Sequence, residues 1–350
     1  MSPKLTICIP SFNRGDAALR QVLHTLPLIE PGWELLVLDN CSTVNTEGYS
    51  EIESLSMMDH RVRYVKHAEN LGFHGNILAS IKSAKSAYLQ IISDEDYSNP
   101  KAVQDAIATL DEFPEVGLIR GSMGPIAGMV PRNSTTYADQ FLTAGHRALG
   151  DFSFTNYVSG IIYNKKLLKF KGILQKFEVG LSCNPMIAAY AHVYLDILVS
   201  ASCAVISSRD IVCFEGVEQK YAPDTKSTAQ VSTYTFAGRL EQIIGFRDAF
   251  REVCSPDQLN DVSLLIHLYL RLVQKYCTLF HIDSFLYVER GLSLGALRES
   301  MRHFFIAACE IDEFLPALSV VHDMVHERFE LVCRHIRENH DSSIVSGCSN

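Results

Sequence analysis

The chain has 350 residues, of which 47% are hydrophobic and 20% are charged, and its formal net charge is −9. This composition is that of an ordinary globular protein and excludes a disordered chain, a collagen-like repeat and a coiled-coil rod. The acidic net charge argues against nucleic-acid binding through a generally basic surface. The length predicts about two domains, because a single hydrophobic core usually stops growing near ~250–300 residues.

The sequence predicts a protein of the cytosol. It has no run of about 18 uncharged apolar residues, which a membrane-spanning helix would need. Residues 1–4 lead directly into a strand-like run without the pattern of a signal peptide. The ten cysteines are scattered without a C-x-x-C pair, which favours reduced thiols over disulfides or zinc.

The first 222 residues alternate between strand-like and helix-like segments. Buried apolar strands are predicted at Leu5–Ile9, Leu35–Leu38 and Tyr88–Ile92, each followed by a helical segment. Such an alternation is typical of a parallel-rich sheet covered on both faces, so we expect an α/β domain. The other predicted elements are helices at Asp16–Leu26, Glu47–Met57, His74–Ser86, Pro100–Glu112 and 184–200, and strands at Val62–Val65, Val116–Ile119, Val158–Tyr163, Ala204–Ile206 and Ile211–Phe214.

From residue 223 onwards the pattern is helical. We therefore expect a first domain at 1–222, an all-helical domain at 223–340 and a flexible tail at 341–350. The apolar stripe of the last helix favours packing on its own domain, with a homodimer contact as the alternative. The three arginines of 239–251 could face a lipid diphosphate acceptor, an anionic membrane or simply the solvent. The predicted C-terminal helices are Ala229–Cys254, Pro256–Phe280, Leu294–Cys309 and Leu315–Asn339.

Polar side chains follow three of the buried strands, at the carboxyl ends where open α/β sheets bind ligands. The first strand leads into residues 10–14, the second ends at Asp39, and the third is followed by Asp94 and Asp96. An Asp-x-Asp pair at a strand end can hold a divalent cation that neutralises a diphosphate; the alternative is a solvated acidic turn. Asp39 can bind a ribose hydroxyl or a base N–H, or it can cap a turn.

The segment 70–76 places glycine and asparagine residues before a predicted helix. Glycine lets a backbone approach a ligand and a helix N-terminus favours phosphate, whereas the alternative is a capped turn. The segment is not a Walker loop, and the Rossmann spacing G-x-G-x-x-G is absent from the chain, which argues against a dinucleotide.

Four segments in this order resemble the motifs of family 2 glycosyltransferases: Leu5–Arg14, Leu36–Ser42, Asn70–Gly72 and Ser93–Asp96. The resemblance covers about residues 4–215 and, within the family, is to bacterial O-antigen and capsule sugar transferases. It implies a GT-A fold, a nucleotide-sugar-binding α/β domain with a mixed, mostly parallel sheet. It also implies a metal-dependent, inverting transfer of a sugar from a nucleoside-diphosphate donor to a saccharide or lipid-linked acceptor.

The same resemblance implies roles for single residues. Asp96 would bind Mg²⁺ or Mn²⁺ on the diphosphate. Asp94 would contact the ribose, and it is also a candidate metal ligand because Glu95 separates two acids that the family often has side by side. Asp39 would hold the base or the ribose. The other residues implied to line or border the nucleotide are Pro10, Ser11, Asn13, Arg14, Asn70, Gly72 and Asn76.

An inverting transfer needs a base that takes the proton of the acceptor hydroxyl. In inverting relatives this is an Asp or Glu near the start of the helix after the central loop, and the matching stretch here is 175–192. Glu178 is the first candidate, with a solvated loop acid as the alternative. His192 is the second candidate, because Asp196 lies one helical turn later and could orient its ring. Asp151 is the third.

Two rival functions remain. A sugar nucleotidyltransferase usually has a glycine-rich loop after its first strand, and residues 10–14 contain no glycine. A catalytically silent sugar-binding or scaffold protein of the same fold stays open because the chain lacks a recognisable pair of acids as the base.

Overall fold

Runs of leucine, isoleucine and valine form the central strands, because apolar and β-branched side chains suit a sheet that is covered on both faces. Strands β1 (Leu5–Ser11), β2 (Trp33–Asp39) and β4 (Tyr88–Ile91) are buried almost throughout, whereas β3 (Val62–Lys66) is largely half-buried. The computed structural model describes residues 3–125, 136–145, 148–149, 157–183, 190–216, 236–261, 299 and 334.

Five further strands complete the sheet, namely β5 (Tyr97–Ser98), β6 (Val116–Pro125), β7 (Gln140–Leu142), β8 (Ile161–Asn164) and β9 (Ala204–Glu215). Within the described residues the strand order is β3-β2-β1-β4-β8-β6-β9-β5, and β7 also pairs with β9. β1 to β4 are parallel, and β8 is antiparallel to both β4 and β6. Because β9 runs parallel to β6, six of these nine strands share one direction, and the sheet is mixed but mostly parallel.

Helices cover both faces of the sheet. They are α1 (Gly15–Thr25), α2 (Glu47–Met58), α3 (Gly72–Ser83), α4 (Pro100–Glu112), α5 (Lys165–Phe170), α6 (Ile173–Cys183) and α7 (Ala191–Ser202), and a 3-10 turn spans Leu26–Leu28. Leu5, Ile7 and Ile9 of β1 belong to a core cluster that includes side chains of α1, α2 and α4. Cys8 points to the opposite face, where its thiol has Ser80 of α3 as a hydrogen-bond partner. This alternation places α3 and α1 on opposite sides of β1.

The strand β6 is longer than the sequence predicted. The strand predicted at Val116–Ile119 continues to Pro125, and residues 121–125 pair with β9. The two short strands predicted at 204–206 and 211–214 belong to the single strand β9. Strands β6 and β9 can pair here because the glycines of β6 leave room for large side chains of β9. A Cβ atom added at Gly121 would lie 2.4 Å from Val212, and one added at Gly124 would lie 2.7 Å from Ile211.

The chain divides into two compact units, Met1–Thr228 and Ala229–Asn350. In the second unit the structure describes helix α8 (Phe236–Val253) and the short helix α9 (Pro256–Leu259), which Ser255 and Gln258 begin with a reciprocal capping box. No helix in the part of the chain that the structure describes is long and apolar enough to cross a membrane. The domain boundary predicted at 222–223, the last helix with its dimer alternative and the tail lie outside the described residues.

Candidate functional site

The carboxyl ends of three strands meet at one edge of the sheet. Ser11 of β1 and Asp39 of β2 are register partners, so their backbones lie about 4.8 Å apart. The Ser11 hydroxyl donates to Oδ2 of Asp94, just after β4, at 2.7 Å. Asp39 and Asp94 therefore lie on either side of Ser11, and the sheet brings together the polar strand ends that stood out in the sequence.

Arg14 lies over the acidic segment that follows β4. Its Nη1 is 3.2 Å from Oδ1 of Asp94, and its Nη2 is 2.5 Å from Oε2 of Glu95. Asp94 is 4% exposed, and burial raises its pKa to about 6, although Arg14 and Ser11 oppose that shift. Asp94 is therefore mostly ionised at neutral pH and is held between a hydroxyl and a guanidinium.

Asp96 has different surroundings from Asp94. Its Oδ2 accepts a hydrogen bond from the Ser159 hydroxyl at 2.6 Å, and its Oδ1 accepts one from the backbone N–H of Gly216 at 3.2 Å. Ser159 also accepts from the backbone N–H of Ser93, which ties the loop before β8 to the acidic segment. Among the residues that the structure describes, no group of three His, Cys, Asp or Glu side chains is arranged to hold a metal ion.

Asp39 is fully buried, and both of its carboxylate oxygens accept hydrogen bonds. Oδ1 accepts from the backbone N–H of Ser42 at 2.8 Å, which is the turn-capping contact foreseen as the alternative for this residue. Oδ2 accepts from the hydroxyl of Tyr64 at 2.8 Å, and Nζ of Lys66 lies 3.9 Å away. These contacts fix the carboxylate in one orientation at the edge of the site.

Asn13 joins the loop after β1 to the loop after β2. Its backbone N–H donates to Oγ of Ser42, and its Oδ1 accepts from the backbone N–H groups of Thr43 and Val44. Its φ angle is +58°, a left-handed conformation that asparagine tolerates better than most residues. Pro10, which was also expected at the nucleotide, is half-buried on β1 beside Leu38.

Asn40 links the segment 70–72 to the strand ends. Its Nδ2 donates to Oδ1 of Asn70 at 2.8 Å and to the carbonyl of Gly72 at 3.2 Å, while its Oδ1 accepts from the backbone N–H of Leu71. Its own backbone N–H donates to the carbonyl of Ser11. Gly72 has a φ of +69°, which favours glycine at the start of α3. Asn70 and Gly72 thus reach the site through a residue that the sequence reasoning did not single out.

Asn76 lies one turn into α3 and is almost fully buried. Its Oδ1 is 3.2 Å from Nε2 of His67, whose backbone N–H donates to the carbonyl of Asp39. This contact places Asn76 behind Asp39.

Glu178 lies away from this edge of the sheet. It belongs to helix α6 and not to a loop, and its Oε1 is 2.5 Å from Nζ of Lys82 in the last turn of α3. Lys82 is ten residues after Gly72, which corresponds to about 15 Å along the helix axis. Both side chains of the pair are more than half exposed. This position does not favour Glu178 as the base, although it leaves that role untested.

His192 lies in the first turn of α7 and is 3% exposed. Its ring packs edge-on against the ring of Phe73 with centroids 5.8 Å apart, and Phe73 directly follows Gly72. His192 therefore lies beside the start of α3, at the same edge of the sheet as the segment 70–72. Asp196, expected to orient His192, accepts instead from the Arg120 guanidinium and the Tyr163 hydroxyl. Asp151 and the helix start predicted at 184 lie outside the described residues.

Several residues that contact the site were not predicted from the sequence. Asn40 directly follows Asp39, so its position was visible as part of the turn. Tyr49, Tyr64 and Ser159 come from α2, β3 and the loop before β8, and only the folded topology brings them to the strand ends.

Residues 6–170 match the model of Glycosyl transferase family 2. The putative colanic acid biosynthesis glycosyl transferase WcaA of Escherichia coli is 26% identical over 107 residues, which are 31% of this chain and 38% of that protein. The putative teichuronic acid biosynthesis glycosyltransferase TuaG of Bacillus subtilis is 26% identical over 94 residues, which are 27% of this chain and 36% of that protein. The chain thus spans little more than a third of the length of either relative.

A solved structure extends the comparison to almost the whole chain. The crystal structure of S. aureus TarS 1-349 in complex with UDP-GlcNAc superposes with a TM-score of 0.54 and 14% identity. The superposition covers 97% of this chain and 92% of that one. At this level of identity the likeness concerns the fold alone. The protein therefore has a GT-A-like α/β fold with a mixed, mostly parallel sheet, and its residues 6–170 match family 2 of the glycosyl transferases.

Proposed function

We propose that this protein is a family 2 glycosyltransferase that moves a sugar from a nucleoside-diphosphate donor to a saccharide or lipid-linked acceptor, with inversion. The observation that carries the proposal is the meeting of Ser11, Asp39 and Asp94 at the carboxyl edge of parallel strands. The family match and the GT-A-like fold support it. The UDP-GlcNAc in the TarS structure supports the donor class, and the names of WcaA and TuaG support a role in surface polysaccharide synthesis, such as O-antigen or capsule.

In this proposal the donor lies across the three strand ends. Asp39 binds the base or the ribose. Its hydrogen bonds from Tyr64 and from the backbone of Ser42 hold the carboxylate in one orientation for this contact. Asp94 contacts the ribose, and Arg14, whose guanidinium pairs with Asp94 and Glu95, offers a positive charge to the diphosphate once a ligand competes for these ion pairs. Asn70 and Gly72 border the nucleotide through the contacts of Asn40.

We further propose that the acidic segment holds Mg²⁺ or Mn²⁺. Carboxylate oxygens are the ligands that these hard cations prefer, so the side chains of Asp96 and Asp94 are chemically suitable ligands. The hydrogen bonds from Ser159 and Gly216 hold the Asp96 carboxylate in one orientation, which suits a metal ligand. When bound, the cation would stabilise the negative charge of the departing diphosphate.

For the proton of the acceptor hydroxyl we propose His192. The imidazole takes this proton as the acceptor oxygen forms its bond to the sugar and the bond to the diphosphate breaks. Its position beside Phe73 supports the assignment, because Phe73 is 46% exposed next to the segment that borders the donor. An exposed aromatic ring there offers an apolar wall to an incoming sugar.

Thermal unfolding with nucleoside diphosphates tests the donor class. We expect UDP or GDP to raise the unfolding midpoint, with a larger rise in the presence of Mn²⁺. A ligand that binds only the folded protein at 100 times its Kd adds about 2.7 kcal/mol to the free energy of unfolding. The matching nucleoside, which lacks the diphosphate, is the control and should show no Mn²⁺-dependent rise. If no pyrimidine or guanosine diphosphate moves the midpoint with or without the metal, the proposal is wrong.

Glu178→Gln and His192→Gln test the choice of base. We expect Glu178→Gln to leave sugar transfer unchanged and to alter the free energy of unfolding by less than about 1 kcal/mol, because the Lys82–Glu178 pair is exposed. His192→Gln should lower transfer by roughly 10²–10⁴-fold, since it removes the proton acceptor. Released nucleoside diphosphate is the readout. A large loss in Glu178→Gln with normal transfer in His192→Gln would reverse the assignment.

A further inference from the structure

Two tyrosines behind the strand ends hold the two buried acids of the site. Tyr64 of β3 donates its hydroxyl hydrogen to Oδ2 of Asp39 at 2.8 Å. The Tyr49 hydroxyl of α2 lies 2.7 Å from the Ser11 hydroxyl, which contacts Asp94 at 2.7 Å. We propose that Tyr49 and Tyr64 are positioning residues for the donor nucleotide, Tyr64 acting through Asp39 and Tyr49 acting through Ser11 on Asp94. This inference rests on the proposed function, since it needs a nucleotide at these acids.

The hydrogen bonds around Tyr49 have one direction when Asp94 is ionised. A carboxylate only accepts, so Ser11 must donate its single hydrogen to Asp94 and must accept from Tyr49. The oxygen of Tyr49 in turn accepts from the backbone N–H of Arg14 at 3.1 Å. The result is a directed chain from Arg14 through Tyr49 and Ser11 to Asp94. Each donor in such a chain polarises the next one.

The two tyrosines pack as one unit. Their rings are stacked with centroids 6.3 Å apart and an angle of 28° between the planes. Burial raises the pKa of both hydroxyls, so both remain protonated donors at neutral pH. The pair therefore couples α2 to β3 and presents one hydroxyl to each side of the site, where Asp39 is fully buried and Asp94 nearly so.

A positioning role predicts weaker nucleotide binding when the hydroxyls are removed. Without its tyrosine donor, Asp39 or Ser11 can turn away from the ligand, and a buried oxygen loses its partner. A third tyrosine supplies a matched control. The hydroxyl of Tyr88, at the start of β4, donates to Oδ1 of Asp111 in the last turns of α4, at the opposite edge of the sheet. Tyr88→Phe removes the same kind of bond away from the site.

The experiment screens the pyrimidine and guanosine diphosphates by calorimetry and measures the Kd of one that the wild-type protein binds. We expect Tyr49→Phe and Tyr64→Phe each to raise this Kd roughly tenfold, and Tyr88→Phe to leave it within about twofold. A double-mutant cycle adds a readout that a general loss of stability would not change. In an Asp39→Asn background, Tyr64→Phe should cause no further rise in Kd, because Tyr64 acts through Asp39.

The outcomes separate the two proposals. If the wild-type protein binds none of these diphosphates, the proposed function fails. If the wild-type protein binds one of them and the Tyr49 and Tyr64 variants bind it as Tyr88→Phe does, the positioning role is overturned while the function stands. If Tyr49→Phe does not fold, Ser11→Ala breaks the same chain one step closer to Asp94, and it should give at least the same rise in Kd.

Discussion

Asp96→Ala is expected to lower sugar transfer by roughly 10²–10³-fold, the largest loss of activity from a single carboxylate of this site. Asp96 is the proposed cation ligand, and without it the charge of the leaving diphosphate loses its electrostatic partner. The measurement is the release of nucleoside diphosphate in the presence of Mn²⁺. The substitution also leaves the Ser159 hydroxyl and the Gly216 N–H without their acceptor, so the free energy of unfolding should fall by about 1–3 kcal/mol.

An acid at the opposite edge of the sheet controls for the loss of a carboxylate as such. Asp111 carries an ion pair to Lys4 at 2.6 Å, with both side chains about half exposed. We expect Asp111→Ala to keep normal transfer, because it lies at the amino ends of the strands. Transfer by Asp96→Ala within about threefold of wild type would remove Asp96 from the mechanism. No release of diphosphate by either variant or by wild type would favour the catalytically silent protein.

The strands that carry the site were predictable because their signals are local. An apolar run such as Leu35–Leu38 is a strand wherever it is buried, and the residue after it lies at the carboxyl edge by topology. The helix start at Pro100 was equally local, because proline is favoured in the first turn of a helix, and α4 begins at Pro100 as predicted. Asp39 and Asp94 could therefore be assigned to one edge of the sheet from the sequence alone.

The surroundings of these acids were not predictable, because they depend on partners far away in sequence. Tyr64 lies 25 residues from Asp39, and Ser159 lies 63 residues from Asp96. The same limit applies to the surroundings of Glu178. Nothing in the local sequence shows that the helix around Glu178 packs its acid against Lys82, which is 96 residues away.

Asp196 shows that a correct local spacing does not identify the partners of a side chain. Its spacing of four residues from His192 is correct for one helix face, and that spacing led to the interpretation that it orients the imidazole. The fold instead places Arg120 of β6 and Tyr163 of β8 within hydrogen-bond distance of its two oxygens. An arginine within a strand otherwise rich in apolar and small residues was the sequence feature that could have indicated this ion pair.

Arg120→Met is expected to lower the free energy of unfolding by about 3–5 kcal/mol, the largest loss of stability from a single substitution considered for this chain. Arg120 is 2% exposed and Asp196 is fully buried, and Nη2 of Arg120 lies 2.6 Å from Oδ2 of Asp196. Removing the guanidinium leaves a buried carboxylate that keeps the hydrogen bond from the Tyr163 hydroxyl but has lost its ion-pair partner. Urea unfolding at about pH 7.5 measures the effect, and Arg209→Met is the control.

The control removes an ion pair of the same residue types at the surface. Nε of Arg209 lies 2.9 Å from Oδ2 of Asp139, with side chains 76% and 54% exposed. Solvent screens such a pair, so we expect Arg209→Met to cost less than about 1 kcal/mol. Equal losses in the free energy of unfolding from the two substitutions would mean that burial does not increase the contribution of the Arg120–Asp196 pair to stability.

The pH dependence of the Arg120→Met effect gives a second test. Burial raises the pKa of Asp196 from 3.8 to about 6, while Arg120 opposes the shift. Because the folded protein binds this proton more tightly than the unfolded chain, the stability from protonated Asp196 is present below about pH 4 and is lost as the pH rises through about 6. Without Arg120 the pKa of Asp196 rises further, so the free energy of unfolding continues to fall up to a higher pH than in the wild-type protein. The destabilisation by Arg120→Met should therefore be larger at about pH 7.5 than at about pH 5, and an equal or opposite dependence would show that Asp196 is not the group left uncompensated.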